Sequence, residues 1–290
     1  MAAAAPTTRI AGRSTRPRGH TIVGHDAGRM IGRALRTYAR ALFPARPAPA
    51  PRTVRLDFDA CDIHLHATAE PELRWRAFAC AKEPWTVEWL QQRLRGGDVL
   101  YDVGANVGAF SLIAARHCGA TVVAFEPGYA TFARLCENVQ LNACADRIIP
   151  VPLPLSDRSG ILSLQYRSLD PGQSRHRMGD AAWRPEDSAR RKRYVQPVCA
   201  MALDAAVSTF GLPLPVAMKI DVDGAEMRVL RGASSLLASA GLRSLLIEID
   251  DGQFGDVKDL LADAGFALEN RIERRRKANA PVYAMFGRTQ

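Results

Sequence analysis

Acids stand where apolar runs stop. Asp102 follows Val99-Leu100-Tyr101, Glu126 follows Thr121–Phe125, Asp157 follows Leu155-Ser156, and Asp221 follows Val216–Ile220, with Asp223 and Glu226 just beyond. Short apolar runs bounded by turn residues read as buried strands, so each acid sits at a strand's carboxyl end. In an open parallel sheet that edge binds ligands, where the strand order reverses. Carboxylates gathered there can take a hydroxyl proton, hold ribose hydroxyls or face a cation.

Between Asp102 and the helix-period residues Phe110, Leu112 and Ile113 lies Gly104-Ala105-Asn106-Val107-Gly108. Glycines let the backbone approach a ligand closely. A helix opening near Val107 directs its first free N–H groups to the same place. The glycines are spaced Gly-x-x-x-Gly, wider than the GxGxxG of dinucleotide sites, which disfavours a nicotinamide dehydrogenase. Asp102 suits a sulfonium or ammonium better than a diphosphate. The expected cofactor is therefore S-adenosylmethionine (AdoMet), held by Asp102, Gly104, Ala105, Asn106, Gly108, Glu126, Ser156 and Asp157. Glu126 would accept both ribose hydroxyls and Asp157 the adenine amino group.

Methyl transfer is an in-line displacement that needs a positioned acceptor and a group to take its proton. Asp221, Asp223 and Glu226 cluster after the fourth strand, and Glu248 lies on the next. Mutual repulsion raises at least one pKa in such a cluster, and Lys219 can offset the charge. Alternatively, the acids share a divalent cation that acidifies the acceptor hydroxyl. Glu226 also has a plain structural reading, as an acid in a helix's first turn. His176, within Ser174-Arg-His-Arg-Met-Gly179, is the other candidate base, and Arg175 and Arg177 suit an acidic or phosphorylated acceptor.

Four stretches, Asp102-Val-Gly-Ala-Asn-Val-Gly108, Phe125-Glu126-Pro127, Leu155-Ser156-Asp157 and Lys219-Ile-Asp-Val-Asp-Gly-Ala-Glu226, occur in order within residues 83–287. Together they resemble the signature set of FkbM-type methyltransferases. The resemblance implies a class I AdoMet-dependent methyltransferase fold, and O-methylation of a carbohydrate or natural-product small molecule. It leaves the particular acceptor open and does not reach residues 1–53.

The elements that must position these residues alternate strand and helix, which predicts a doubly wound, mainly parallel α/β sheet. Seven strands of Rossmann-like type are expected, the last antiparallel because no helix separates the final pair, near 266–271 and 282–286. Before the sheet, Val54 to Ala67 alternates as a hairpin, and 72–95 is helical, broken at Pro84, with Trp75, Phe78, Trp85, Trp89, Leu90 and Leu94 as its apolar positions. Ile148 to Leu155 is a third strand whose prolines put it at an edge. A hairpin follows through Ile161–Tyr166, residues 168–193 form an insertion over the active site, and 226–238 is one helix. The expected division is a tail over 1–53, a hairpin and helical cap over 54–97, and a catalytic domain over 98–290.

Net charge is +9 over 290 residues, and the tail carries all of it, with ten arginines against Asp26 alone. The rest is neutral, which argues against a broad nucleic-acid surface. An RNA methyltransferase using the basic tail is the second reading. Within the tail, residues 29–43 pattern as a basic amphipathic helix, suited to packing on the body, an anionic membrane surface or an acidic partner. Pro44 to Pro51 reads as a stiff linker. Six scattered cysteines form no CxxC pair and read as free thiols. His64 and His66 share a strand face without a third ligand, so no metal site is expected there. With no apolar run long enough for a bilayer and no compact apolar signal at the N-terminus, the sequence reads as a bacterial cytoplasmic protein.

Overall fold

The computed structural model describes residues 52–166, 168–174, 176–182, 194–273 and 281–289, which fall within the compact unit Pro51–Gln290. The expected helix over 29–43, Arg175 and residues 183–193 of the expected insertion lie outside these residues.

The alternation from Val54 to Leu65 folds as a hairpin, β1 (Thr53–Arg55) against β2 (His64–His66). The expected helical stretch comes in three pieces, a π-helix (Glu72–Arg76), α1 (Ala79–Lys82) and α2 (Pro84–Arg93). Pro84 opens α2 in the first turn, where its missing N–H would have had no partner anyway. Trp89, Leu90 and Leu94 are buried, but Trp75 and Phe78 are exposed. The breaks between pieces take those two out of register with the buried face of α2.

β3 (Val99–Val103), α3 (Ala109–Arg116), β4 (Thr121–Phe125), α4 (Tyr129–Leu141) and β5 (Ile148–Val151) follow the expected order. β5 stops at Val151 rather than running to Leu155, because Pro152 and Pro154 have no N–H for a ladder. Leu155–Ser156 is instead β6, in a second sheet ordered β6-β9-β7-β8 with β7 (Gly160–Tyr166), β8 (Arg177–Ala182) and β9 (Tyr194–Ala202). Part of the expected insertion is thus a strand of this sheet.

α5 (Leu203–Phe210) leads to β10 (Ala217–Ile220). The single helix expected over 226–238 is two, α6 (Glu226–Arg231) and α7 (Ser234–Ala238). They part at Gly232, where a Cβ would stand 2.0 Å from the Ser156 carbonyl oxygen. β11 (Ser244–Ile249), α8 (Phe254–Asp263), β12 (Phe266–Glu273) and β13 (Val282–Arg288) complete the described chain.

The main sheet has seven strands, ordered β12-β13-β11-β10-β3-β4-β5. β4 and β10 flank β3 in parallel, while β13 runs antiparallel to β11. Leu100, Val122 and Ala124 join one core with the hairpin and α2, and Tyr101, Val103, Val123 and Phe125 join the other. Both faces are covered, as the near-continuous apolar strands require. From β3 the chain winds outward to β4 and β5, then returns to β10 on the other side. The ends of β3 and β10 therefore mark the switch point, where a crevice opens for a ligand.

Candidate active site

β3 delivers Asp102 and then the turn. Gly104 takes φ +83°, and a Cβ there would lie 1.9 Å from the Asp221 carbonyl oxygen. Only glycine lets this turn lie against the end of β10. Gly108, at φ +88°, faces Leu135, with 2.5 Å between a Cβ and its Cδ1. Asn106 is also left-handed, at φ 53°, a conformation asparagine tolerates better than most residues.

The turn's own amides bond within the protein. The N–H groups of Gly104 and Ala105 both donate to the Phe125 carbonyl, and that of Gly108 donates to the Ala105 carbonyl. The Asn106 N–H donates to Glu126 Oε2 at 3.0 Å, and its side-chain amide donates to the Gln173 carbonyl at 2.8 Å. The helix begins at Ala109 with Gly108 as cap, not at Val107. These bonds hold the turn's shape and fasten it to β4.

Glu126 is buried, and the Gly128 N–H donates to its Oε1 at 2.8 Å. Burial raises its pKa to about 7, against the lowering pull of the Gly128 and Asn106 N–H bonds. No cation within ion-pair distance balances it among the described residues. Tyr166 and His176 wall this place; a Cβ on Gly128 would meet them at 3.5 and 3.7 Å. Burial, then Arg76, lowers the His176 pKa to about 4, so its imidazole is neutral at pH 7. Its Nδ1 is buried without a partner among the described residues. His176 therefore stands at the Glu126–Gly128 turn.

Ser156 ends β6 and Asp157 follows it, so neither ends a strand of the main sheet. The Ser156 hydroxyl donates to Asp157 Oδ1 at 2.9 Å, and Arg228 pairs with the same oxygen at 3.2 Å. Burial works against its ionisation, but Ser156 and Arg228 together outweigh it and hold the Asp157 carboxyl below the usual aspartate range.

Across the switch point, Lys219 is the hub. It is buried on β10, with Nζ 3.6 Å from Asp102 Oδ1 and 3.4 Å from Asp221 Oδ2. Burial disfavours its charge, yet Asp221 and Asp102 hold its pKa above the ordinary lysine value. The cation facing Asp102 in the structure is thus Lys219, and the Ser111 hydroxyl donates to its other oxygen at 2.6 Å. Burial works against the charge of Asp221, but Lys219, Lys82 and Arg76 outweigh it and keep the carboxyl below the usual range. Glu248 takes the opposite course. Burial and the neighbouring Asp221 charge raise its pKa, and the Tyr283 hydroxyl donates to its Oε2 at 2.8 Å. One carboxyl of this pair is held ionised and the other protonated, the arrangement that separates acid from base roles.

Glu226 clamps the turn between them. Its Oε1 accepts the Gly224 N–H at 3.0 Å and the Val222 N–H at 3.3 Å. Burial raises its pKa to about 7. Asp223 is exposed at φ 55° on the same turn. No group of three or more His, Cys, Asp or Glu side chains is arranged to hold a metal ion among the described residues.

Three residues of this site carry no sequence signal. Glu83 is buried with Lys82 Nζ at 2.6 Å, and its charge bears on Lys219, Glu248 and Tyr283. Tyr283 lies opposite Glu248 in the β11–β13 register. Arg76 comes from the π-helix. Only the break at Pro84 hints that the chain does something unusual near Glu83.

A doubly wound sheet with an antiparallel last strand, a glycine turn at its switch point and a buried acid ending the next strand together define a class I AdoMet-dependent methyltransferase. The Methyltransferase FkbM domain model matches residues 102–268, and the chain belongs to this family. Hexuronic acid methyltransferase AglP of Haloferax volcanii is 30% identical over 196 residues, 67% of this chain and 74% of that one. The 31-O-demethyl-FK506 methyltransferase FkbM of Streptomyces tacrolimicus is 30% identical over 203 residues, 60% of this chain and 75% of that one. Among solved structures, precorrin-6y C5,15-methyltransferase of Geobacter metallireducens GS-15 superposes with a TM-score of 0.46 at 13% identity, over 77% of this chain and 94% of that one.

The residues present fit AdoMet. Gly104 lets the turn pack against Asp221 at the switch point, and Glu126 is a buried acceptor without a counter-ion among the described residues, suited to a diol.

Proposed function

We propose that this enzyme methylates a hydroxyl of a carbohydrate or natural-product small molecule, with Asp221 receiving the hydroxyl proton. The observation that carries the reading is the placement of Asp221, which follows β10 against the glycine turn and is kept ionised by Lys219. When bound, AdoMet supplies an electrophilic methyl on a sulfonium sulfur. The Gly104–Gly108 turn, Glu126, Ser156 and Asp157 would hold it. Asp102 acts through the turn, fixing Ser111 at the start of α3 and sharing Lys219 with Asp221.

Asp221 accepts the proton because Glu248 already holds one and cannot compete for it. Glu226 and Asp223 act by shaping the turn that presents Asp221. His176, neutral and packed on Tyr166, walls the donor side rather than serving as the base. The named relatives act on a hexuronic acid and on 31-O-demethyl-FK506, which supports a sugar or natural-product hydroxyl as acceptor.

The test is methyl transfer from labelled AdoMet to a panel of uronic-acid glycans, neutral glycans, hydroxylated macrolides and total RNA. Label recovered on an oxygen of a small molecule or glycan supports the reading. Label found only in RNA would overturn it in favour of the basic tail as a substrate arm.

A further inference from the structure

The cap supplies a spare cation to this crevice. Arg76 ends the π-helix Glu72–Arg76, closed by an Ala77 N–H bond to the Glu72 carbonyl. Such turns recur at functional sites, because they displace a side chain from the helical register. Glu72 anchors this one. Its Oε2 accepts the Thr68 and Ala69 N–H groups, and its Oε1 pairs with buried Arg134 at 2.9 Å. The π-helix is therefore fastened to α4, which follows directly from the Glu126–Gly128 turn.

The same π-helix touches the cofactor turn through one loop. Arg76 Nε donates to the Gly172 carbonyl at 2.9 Å. Gly172 lies so close that a Cβ there would meet Glu72 Cγ at 3.0 Å and Arg76 Cγ at 3.4 Å. The next residue, Gln173, accepts the Asn106 side-chain amide. Arg76 is thus tethered by its inner nitrogen above the turn. Its two terminal nitrogens have no hydrogen-bond or ion-pair partner among the described residues.

Its charge reaches three groups of the crevice, Glu126, His176 and Asp221. It is not the ion-pair partner of either acid. Glu126 is held by two main-chain amides and Asp221 by Lys219. A guanidinium fixed at Nε, with its outer N–H pair open, matches the two oxygens of a carboxylate.

We propose that Arg76 binds a ligand carboxylate over the glycine turn. The carboxylate belongs either to the amino-acid end of AdoMet or to an acidic acceptor such as a uronic acid. The proposal rests on the methyltransferase reading above and adds a residue from outside the family-matched segment.

Calorimetry on Arg76→Gln separates the sources. The probes are AdoMet, decarboxylated AdoMet, and D-glucuronate with D-glucose as the uncharged control. If the cofactor's carboxylate is bound, Arg76→Gln weakens AdoMet at least about tenfold, as loss of a charge-assisted hydrogen bond would, and leaves decarboxylated AdoMet unchanged. If the acceptor's carboxylate is bound, AdoMet affinity is unchanged and the wild-type preference for glucuronate over glucose disappears. Unchanged binding of both acids overturns the proposal. So does equal weakening of AdoMet and its decarboxylated form, which marks Arg76 as a strut for Gly172. Arg76→Lys keeps the charge without the fork and falls between wild type and Arg76→Gln; it serves if the glutamine variant does not fold. Failure of the methyltransferase reading is visible separately, as loss of methyl transfer or AdoMet binding in the wild-type enzyme.

Discussion

The two sides of the crevice are held by different forces. On the side of the glycine turn the main chain does the holding, with Gly104, Ala105 and Asn106 bonded to Phe125 and Glu126 and glycine imposed by contact with Asp221 at the end of β10. On the side of β10 buried charge does it, with Lys219 between Asp102 and Asp221 and Glu248 beside Tyr283. A main-chain cradle demands particular residues at particular spacings, because it depends on φ angles and close approach. A charge network tolerates contributors from anywhere in the chain, because it depends on proximity alone.

The contrast breaks most completely at Gly104. In Gly104→Val a side chain would have to share space with the Asp221 carbonyl, at a φ that β-branched residues avoid. AdoMet binding is expected to vanish by calorimetry, and the melting temperature to fall. Binding at wild-type affinity would mean the turn is not the cradle.

The next largest effect lies on the charged side. Lys219→Met leaves two carboxylates facing each other without their buried cation. A loss of about 3–5 kcal/mol in unfolding free energy is expected from denaturant titration, as for other broken buried pairs. An unchanged midpoint would show that the network contributes nothing to the fold.

Glu126 sharpens the glycine-turn side through pH. Its raised value of about 7 means the protonated form dominates in mildly acidic solution. Ribose hydroxyls donate to a carboxylate, so binding requires the ionised form and releases a proton from the rest. AdoMet affinity should therefore tighten as pH rises through about 7, and Glu126→Gln should bind weakly with a flat profile. A wild-type profile that is flat, or that falls with pH, would remove Glu126 from the ribose.

The smallest effect is expected from removing residues 1–50. The described residues all belong to the unit Pro51–Gln290, and the rest of the chain is neutral without the tail. AdoMet affinity and melting temperature should match the full chain. A large drop in either would tie the tail to the site.

How much of this was legible in the sequence follows the same division. The β3–turn–α3 unit, Glu126 at the end of β4 and Asp221 after β10 were readable, because each joins a strand pattern to a turn signal within a few residues. The seven-stranded sheet and its antiparallel last strand followed from the order of those patterns. The split of Ile148–Leu155 between two sheets was not readable, since apolar content persists across prolines that remove the ladder donors. The break at Gly232 depends on contact with Ser156, distant in sequence. Glu83, Tyr283 and Arg76 were missed because no local pattern marks them. The bonding of the Gly104 and Ala105 amides to Phe125 was not readable either, because it joins β3 to a strand some twenty residues on.

The division of labour across the crevice is tested most directly by Asp221→Asn, assayed for AdoMet binding by calorimetry and for methyl transfer in a single turnover. Binding within about twofold of wild type, with transfer slowed at least about 100-fold, is the predicted result. Transfer at the wild-type rate would contradict the account, because the acceptor's proton would then go elsewhere.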